Sequence, residues 1–399
     1  HEITRIALAG RWRGRLVELD YLALQQGQRH LTLAGELTLD DPWRVDTEVA
    51  WGLPLPRALD GYFDKPLAFG QGRLWGRVTR LTLEHQLHRP QSIQSRGSVR
   101  PLDQPLHLNL KHEWSELGLT LPDGRRLGFK PGKLTTRGSP DNYEIELEAD
   151  AATLAGLPAL TPKLRARGDQ KSLRIRELLL EGEPGRLAAS GAVAWQPELS
   201  WSLALDGKEL DPALLDTRMP GRLALKAQLD GQMPADDPLA IQLDLERLEG
   251  VVRGEQVSAS GQASMTGTEA VQIRALNLDT EHGGARINGT LGWVPHPAWS
   301  LAIEGTDWNP ALVDERLPGR VAVNAHVAGG LPPGAPPELD LNLRELGGTL
   351  RDQKLSGHGT VHARGMDRVR GRMQLELGTN SATLGGQLAR QSDIQLKLD

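Results

Sequence analysis

The sequence predicts an all-β protein: an elongated, repetitive, mainly antiparallel β-sheet with short helical turns in its loops. Three observations carry this. The 399-residue chain repeats landmarks at one long spacing, apolar and polar residues alternate along most of it, and helical patterning is nearly absent.

The repeat fixes the organisation. One copy runs Gly191-x3-Trp195-x5-Trp201-x5-Gly207-x4-Pro212 and ends in Pro220-Gly221-Arg222. The next runs Gly289-x3-Trp293-x5-Trp299-x5-Gly305-x4-Pro310 and ends in Pro318-Gly319-Arg320, a spacing of 98 residues (289 − 191 = 98). The register extends back to Ile175 and Ile273 and forward to Leu248 and Leu346, then Gly261 and Gly359. A looser version precedes it: Val17, Leu22, Leu33 and Gly35 match Leu173, Leu178, Ala189 and Gly191 at one offset (173 − 17 = 156). Near the end Leu375 matches Leu278 and Gly386 matches Gly289, slipped by one residue (375 − 278 = 97). The expected division is therefore 1–160 as divergent repeats, 161–262 and 263–361 as two copies, and 362–399 as the start of a further, truncated copy. Such a period marks an array that stacks one supersecondary unit, and the function of an array belongs to a continuous surface. The chain begins with His1, shows no secretory signal and has no long apolar run. Without atypical caps at either end, a piece cut from a longer, anchored protein is expected.

The strands follow from parity, because successive side chains of a strand point to opposite faces. Leu187, Ala189, Gly191, Val193 and Trp195 occupy alternate positions. Trp201, Leu203 and Leu205 alternate with Ser202, Ala204 and Asp206; Leu223, Leu225, Ala227 and Leu229 alternate with Ala224, Lys226 and Gln228. Leu239, Ile241, Leu243 and Leu245 continue the pattern, and the second copy repeats it. The one helical signal is Asp211-Pro212-Ala213-Leu214-Leu215, echoed by Asn309-Pro310-Ala311-Leu312-Val313. Asp or Asn before Pro is an N-cap with proline at the first helical position, and Pro220-Gly221 stops it within two turns. Turns are expected at Pro122-Asp123-Gly124, Gly283-Gly284, Gly329-Gly330 and from Pro332 to Pro337.

An all-strand array of this kind has one continuous apolar face, which must be covered by a folded-over sheet, a second chain or a long greasy ligand. Aromatic residues make up only 4% of the chain, so the wall is aliphatic and suits alkyl chains rather than sugars or bases. Moving an acyl tail of about sixteen carbons through water costs roughly 12 kcal/mol, most of which an apolar trough removes. Formal net charge is -5, which gives no basic footprint for nucleic acid. The absence of cysteine removes disulfides and thiolate metal sites. No Gly-x-Ser-x-Gly, His-Glu-x2-His or Walker motif occurs, so no enzyme and no cofactor are expected.

Gly138-x4-Tyr143-Glu144-Ile145-x-Leu147, Leu157-Pro158, Gly168-Asp169-x3-Leu173-x-Ile175-x2-Leu178-x-Leu180 and Gly185-x5-Gly191-x3-Trp195, followed by Trp201-x-Leu203, Asp211-Pro212 and Pro220-Gly221, resemble the TamB family. The likeness covers most of 130–399 and, more weakly, 10–130. This family is the inner-membrane-anchored part of the translocation and assembly module of Gram-negative bacteria; it belongs to the AsmA-like group and is similar to bridge-like lipid transfer proteins. The resemblance implies a sheet curved into a taco-like hydrophobic groove and a periplasmic home. It also implies phospholipid passage between inner and outer membranes, and an outer-membrane TamA-type barrel as partner through other parts of the full-length protein. The competing expectation is a periplasmic chaperone or scaffold that helps outer-membrane β-barrel proteins assemble, by offering strand edges; an adhesin-like rod with its sheet halves closed is a third.

From strand parity, the lipid-binding groove is expected to be lined by Leu187, Val193, Trp195, Trp201, Leu203, Leu205, Leu223, Leu225, Leu229, Leu239, Ile241 and Leu243. In the next copy these are Val271, Ile273, Ile287, Leu291, Trp293, Trp299, Leu301, Ile303, Val321, Val323, Val327, Leu339, Leu341 and Leu343. The two tryptophan pairs either line the groove mouth or fill ordinary core. His85-x2-His88 makes a poor metal pair, since residues three apart on a strand face opposite ways. Gly70-x-Gly72-x3-Gly76 has the wrong spacing for a phosphate loop and reads as a strand bend. Asp40-Asp41 and Asp236-Asp237 read as solvated turns. Arg165, Arg167, Arg174 and Arg176 read as a soluble outer face, with anionic headgroups as the other use.

Overall fold

The computed structural model describes residues 5–398 apart from 56–60, 64–66, 122–123, 155, 215, 235–236, 282, 313–315, 366–367 and 390–396. Of the turns and helix ends expected from sequence, Pro122, Asp123, Leu215, Asp236 and Val313 lie outside the described residues. The chain divides into two units, His1–Gln196 and Pro197–Asp399, and each is taken by itself. No helix among the described residues is long and apolar enough to cross a membrane.

In the first unit the strands are β1 Arg5–Arg13, β2 Leu16–Gln26, β3 Arg29–Thr38, β4 Arg44–Pro54, β5 Leu67–Arg77, β6 Arg80–Arg89, β7 Ile93–Arg100 and β8 His107–Trp114. They continue with β9 Leu117–Thr120, β10 Arg126–Phe129, β11 Gly132–Ser139, β12 Asn142–Ala149, β13 Ala152–Leu154, β14 Thr161–Gly168, β15 Ser172–Gly182 and β16 Gly185–Ala194. In the second unit they are β17 Leu199–Leu210, β18 Gly221–Met233, β19 Ala240–Val252, β20 Glu255–Thr266, β21 Ala270–Thr280, β22 Gly283–Gly292 and β23 Ala298–Trp308. Then come β24 Gly319–Gly330, β25 Glu338–Leu350, β26 Gln353–Arg364, β27 Arg368–Leu377, β28 Asn380–Ala389 and β29 Lys397–Leu398. The protein is all-β as expected: 26 strands belong to one kind of long antiparallel sheet and three, β9, β10 and β13, to a small separate one. Almost every strand pairs with the strands before and after it in the chain; the main departure is β8, which skips to β11. Neither unit closes into a barrel. In the first, β1 pairs with β2 and β16 with β15; in the second, β17 pairs with β18 and β29 with β28.

The expected helical turns are single 3-10 turns, Pro212–Leu214 and Pro310–Leu312. Each starts as the sequence predicts: the Ala213 N–H donates to the Asp211 carboxylate at 2.9 Å, and the Ala311 N–H to the Asn309 amide oxygen at 3.1 Å. Consecutive copies are tied at this rim of the second unit. The Asn309 amide donates to Glu255 at 2.8 Å, and Arg253 donates to the carbonyls of Arg218 and, at 3.4 Å, Ala311.

Simple alternation is broken at one place in many hairpins. The register shifts between Leu19 and Leu22, Ile175 and Leu178, Leu245 and Leu248, Ile273 and Leu276, and Leu343 and Leu346. At each, two residues on one strand stand outside the ladder, which bends the strand and steepens its twist. The sequence offsets carry the bulges along: Ile175 recurs as Ile273 and Leu245 as Leu343 (273 − 175 = 98; 343 − 245 = 98). Repeated bends at one level across neighbouring strands give the sheet its transverse curvature, as the resemblance implies.

No large side chain among the described residues is fully buried. The chain exposes 25396 Å², against about 15,000 Å² for a compact protein of its mass. The main sheet within each unit is thus a single curved layer. Its outer face is held by exposed cross-strand ion pairs, such as Arg165–Glu177 at 3.3 Å, Lys133–Glu148 at 2.9 Å and Arg364–Glu338 at 3.2 Å. Solvent screens such pairs and they contribute little to stability, so their main effect is to keep that face in water.

Candidate functional site: the apolar strand face

Residues directly opposed in an antiparallel ladder share a face. Following the register across the second unit therefore tests the parity reading strand by strand. One row runs Trp201, Gly231, Ile241, Met265, Val271, Leu291, Trp299, Gly329, Leu339, Ala363, Val369. The next runs Leu203, Leu229, Leu243, Ala263, Ile273, Gly289, Leu301, Val327, Leu341, Val361, Gly371. A third holds Gly207, Leu225, Leu248, Ala259, Leu278, Ala285, Gly305, Val323, Leu346, Gly357, Leu375. Neither charge nor side-chain hydroxyl interrupts these rows. Leu205 opposes Ala227, Ile287 opposes Ile303, and Leu343 opposes Ala325 on the same face; Leu223 and Val321 continue it toward the 3-10 turns. Leu239 and Trp293 keep the parity just outside the strand ends.

In the first unit Leu187 faces Leu180 and Val193 faces Leu173. Trp195 follows at the strand end and donates its indole N–H to the Gln170 carbonyl at 2.8 Å. The structure thus brings every expected groove residue of a unit onto one face of that unit.

Many of the buried apolar positions on this face are small, namely Ala166, Ala189, Ala227, Ala259 and Ala325, with Val321 and Leu343 buried alongside them. The tryptophans divide into two roles. Trp201 and Trp299 lie flat over bare glycines of the next strand; a Cβ on Gly231 would sit 2.1 Å from the Trp201 ring, and one on Gly329 2.6 Å from Trp299. A ring laid across a glycine restores the side-chain cover that the glycine lacks. Trp195 and Trp293 stand at strand ends, 40% and 45% exposed. Each pair thus holds one tryptophan packed on a glycine of the sheet and one exposed at a strand end.

The sequence reading missed a polar break in the first unit. Its central row runs Leu8, Leu22, Leu33, Val49, Gly72, then His85, Ser95 and His112, then Leu134, Leu147, Leu164, Leu178, Ala189. The three polar residues satisfy one another and a neighbour: the Trp51 indole donates to His85 Nε2 at 3.0 Å, and Ser95 Oγ lies 2.8 Å from His112 Nδ1. His85 stacks on Trp51 and His88 on Phe69. Among the described residues no three His, Cys, Asp or Glu side chains gather as metal ligands do. Gly72 is one member of the expected strand bend, and a Cβ there would lie 2.4 Å from the Glu84 carbonyl oxygen; its role is close strand approach.

Burial holds both imidazoles below their ordinary pKa, with the charges of His88 and His112 adding to the effect at His85. A lowered folded-state value means the unfolded chain takes up these protons first as pH falls. Stability from the neutral rings is therefore full above about pH 6.5 and lost as pH falls through the lowered folded values. The first unit is expected to melt earlier at pH 5.5 than at pH 7.5, and His85→Gln with His112→Asn is expected to flatten that dependence. Thermal melts of the parent and the double variant across this range check it; parallel pH curves would refute it.

The family described as TamB, N-terminal domain, matches this chain over residues 1–278 and again over 266–399. The two stretches overlap and together span the whole sequence.

Proposed function

Because the chain belongs to the TamB N-terminal domain family, a bacterial envelope group, we propose that its apolar strand face carries phospholipid acyl chains. In this reading the chain is a periplasmic segment of a lipid-transfer bridge between the inner and outer membranes. The observation that carries it is the uncharged rows of the second unit, which run unbroken from strand to strand across that unit. Burying apolar area from water is worth about 25 cal/mol per Å², so a face of this extent calls for an apolar occupant. An acyl chain fits because the wall is aliphatic and its floor is alanine and glycine. The tails need no directional partner, so they slide from one row to the next without a deep minimum. The residues expected from sequence, from Leu187 to Leu343, are the proposed lining. No chemical step is involved, and an outer-membrane TamA-type barrel is the proposed receiving partner of the full-length protein.

The test is photocrosslinking from Leu229 and Val327 in cells, with Gln228 as the outer-face control. Lipid adducts at the first two and none at the control are expected. Crosslinks to unfolded outer-membrane polypeptide instead of lipid would replace this reading with a chaperone.

A further inference from the structure

A cleft of about 330 Å³ opens in the first unit where β6 turns into β7 and the small sheet folds over the strand ends; its lining includes Tyr62, His88, Arg89, Gln91, Thr120 and Arg126. This size is within the range of small-ligand pockets. Among the described residues the lining contains two guanidinium groups and an imidazole, and no carboxylate. Neither the Arg89 nor the Arg126 guanidinium has an ion-pair or hydrogen-bond partner among the described residues, whereas arginines elsewhere in the unit, such as Arg73, Arg96 and Arg165, do.

The cleft is built rather than incidental. The Gln91 amide donates to the Gly118 carbonyl at 2.7 Å and accepts from the Gly118 N–H at 3.3 Å, and the Thr120 N–H donates to the Tyr62 carbonyl at 2.9 Å. Three separate segments are thereby clamped together. The Arg126 guanidinium rests against Gly118, where a Cβ would meet Nε at 3.3 Å and Nη2 at 3.4 Å. Two unpaired cations in one cleft repel each other, and an anion between them reverses that term. Planar guanidinium forks match the oxygens of a phosphoryl group bidentately.

The cleft also begins at an apolar pair on the edge of the strand face, one row outside the His85 and Ser95 break. Leu87 and Ile93 oppose each other as the last pair of β6 and β7, two residues from Arg89 and Gln91. A cationic notch beside an apolar edge fits an amphiphile with an anionic head.

We infer that this cleft binds a phosphoryl group, with Arg89 and Arg126 as its ligands, and that it holds the phosphate of a phospholipid whose tails lie on the adjoining apolar face. The headgroup assignment rests on the lipid-carrying reading above; the phosphoryl chemistry does not.

The full chain, stripped of lipid, is titrated with four probes: phosphatidylglycerol, diacylglycerol with the same tails, sn-glycerol 3-phosphate and inorganic phosphate. Phosphatidylglycerol is expected to bind more tightly than diacylglycerol. Arg89→Gln and Arg126→Gln are each expected to weaken it about tenfold while leaving diacylglycerol binding and the thermal midpoint unchanged. Arg126→Lys, which keeps the charge but not the fork, and Gly118→Val, which displaces the guanidinium, are expected to fall between. Equal affinity of parent and double arginine variant for phosphatidylglycerol overturns the inference and leaves the lipid-carrying reading intact. Arginine-dependent binding of the two water-soluble phosphates, with neither lipid bound, upholds the phosphoryl site, assigns it to a free phosphate and removes the lipid reading. A parent chain that binds none of the four overturns both.

Discussion

Val323→Asp and Leu225→Asp are expected to stop phospholipid transfer while leaving the sheet folded. Both side chains are half-buried and lie in one uncharged row of the second unit. With the face empty, a carboxylate at either position still reaches water, so the loss of stability is expected to be modest, about 1–2 kcal/mol. An acyl chain passing over it must strip that water. The added barrier is about 3 kcal/mol, roughly a hundredfold in rate. Transfer of a fluorescent phospholipid between donor and acceptor vesicles measures it, with circular dichroism reporting the fold. Gln228→Asp, on the outer face of the same strand as Leu225, is expected to transfer at the parental rate. Equal transfer by Val323→Asp and the parent would show that lipid does not travel along this row.

Gly289→Val is expected to destabilise the second unit strongly. Gly35, Gly191 and Gly289 occupy equivalent positions and share a positive φ of 147°, 146° and 147°. A Cβ at Gly289 would stand 2.0 Å from the Ser300 carbonyl oxygen and one at Gly35 2.1 Å from that of Asp46. The obstacle is backbone of the neighbouring strand, so no rotamer relieves it, and the conformation itself disfavours a side chain. The expected loss exceeds about 3 kcal/mol, which lowers the thermal midpoint of a unit this size by roughly 6–12 °C. Gly347→Ala is the control: no atom lies within 4 Å of a Cβ there, and no loss is expected. A Gly289→Val chain that melts with the parent would refute the close-approach account.

The class of fold and the identity of the apolar face were legible because both depend on a period of two within single strands. Trp201, Leu203 and Leu205 declare their face without reference to any partner. The bulges were present in the letters, as Ile175-x2-Leu178 and Ile273-x2-Leu276, but a phase slip acquires meaning only when the opposing strand is known to continue past it. The polar break at His85, Ser95 and His112 was hidden for the same reason. These residues are neighbours only through the pairing of β6, β7 and β8, and each alone looks like an unremarkable polar residue in an imperfect strand. Strands β9, β10 and β13 are three or four residues long, too short for alternation to register. The cleft they help to form could not be seen before they were placed. The split between tryptophans packed on glycine and those exposed at strand ends depends on which residue stands across the ladder, and only the register supplies Gly231 and Gly329.

The second unit spends six strands on each 98-residue period, β17 to β22 and then β23 to β28. Six is even, so every copy starts at the same rim and heads the same way as the last. With neighbouring strands about 4.8 Å apart, one period adds about 29 Å of sheet. Length in this architecture is therefore a quantised quantity. A gene can gain or lose one six-strand cassette by recombination between Gly207 and Gly305 and change the distance spanned, while the wall at the seam stays the same. An odd cassette would turn the chain back toward the opposite rim and set 3-10 turns against hairpins. The distance the sheet spans can in this way be set by counting copies, with no redesign of the surface in between.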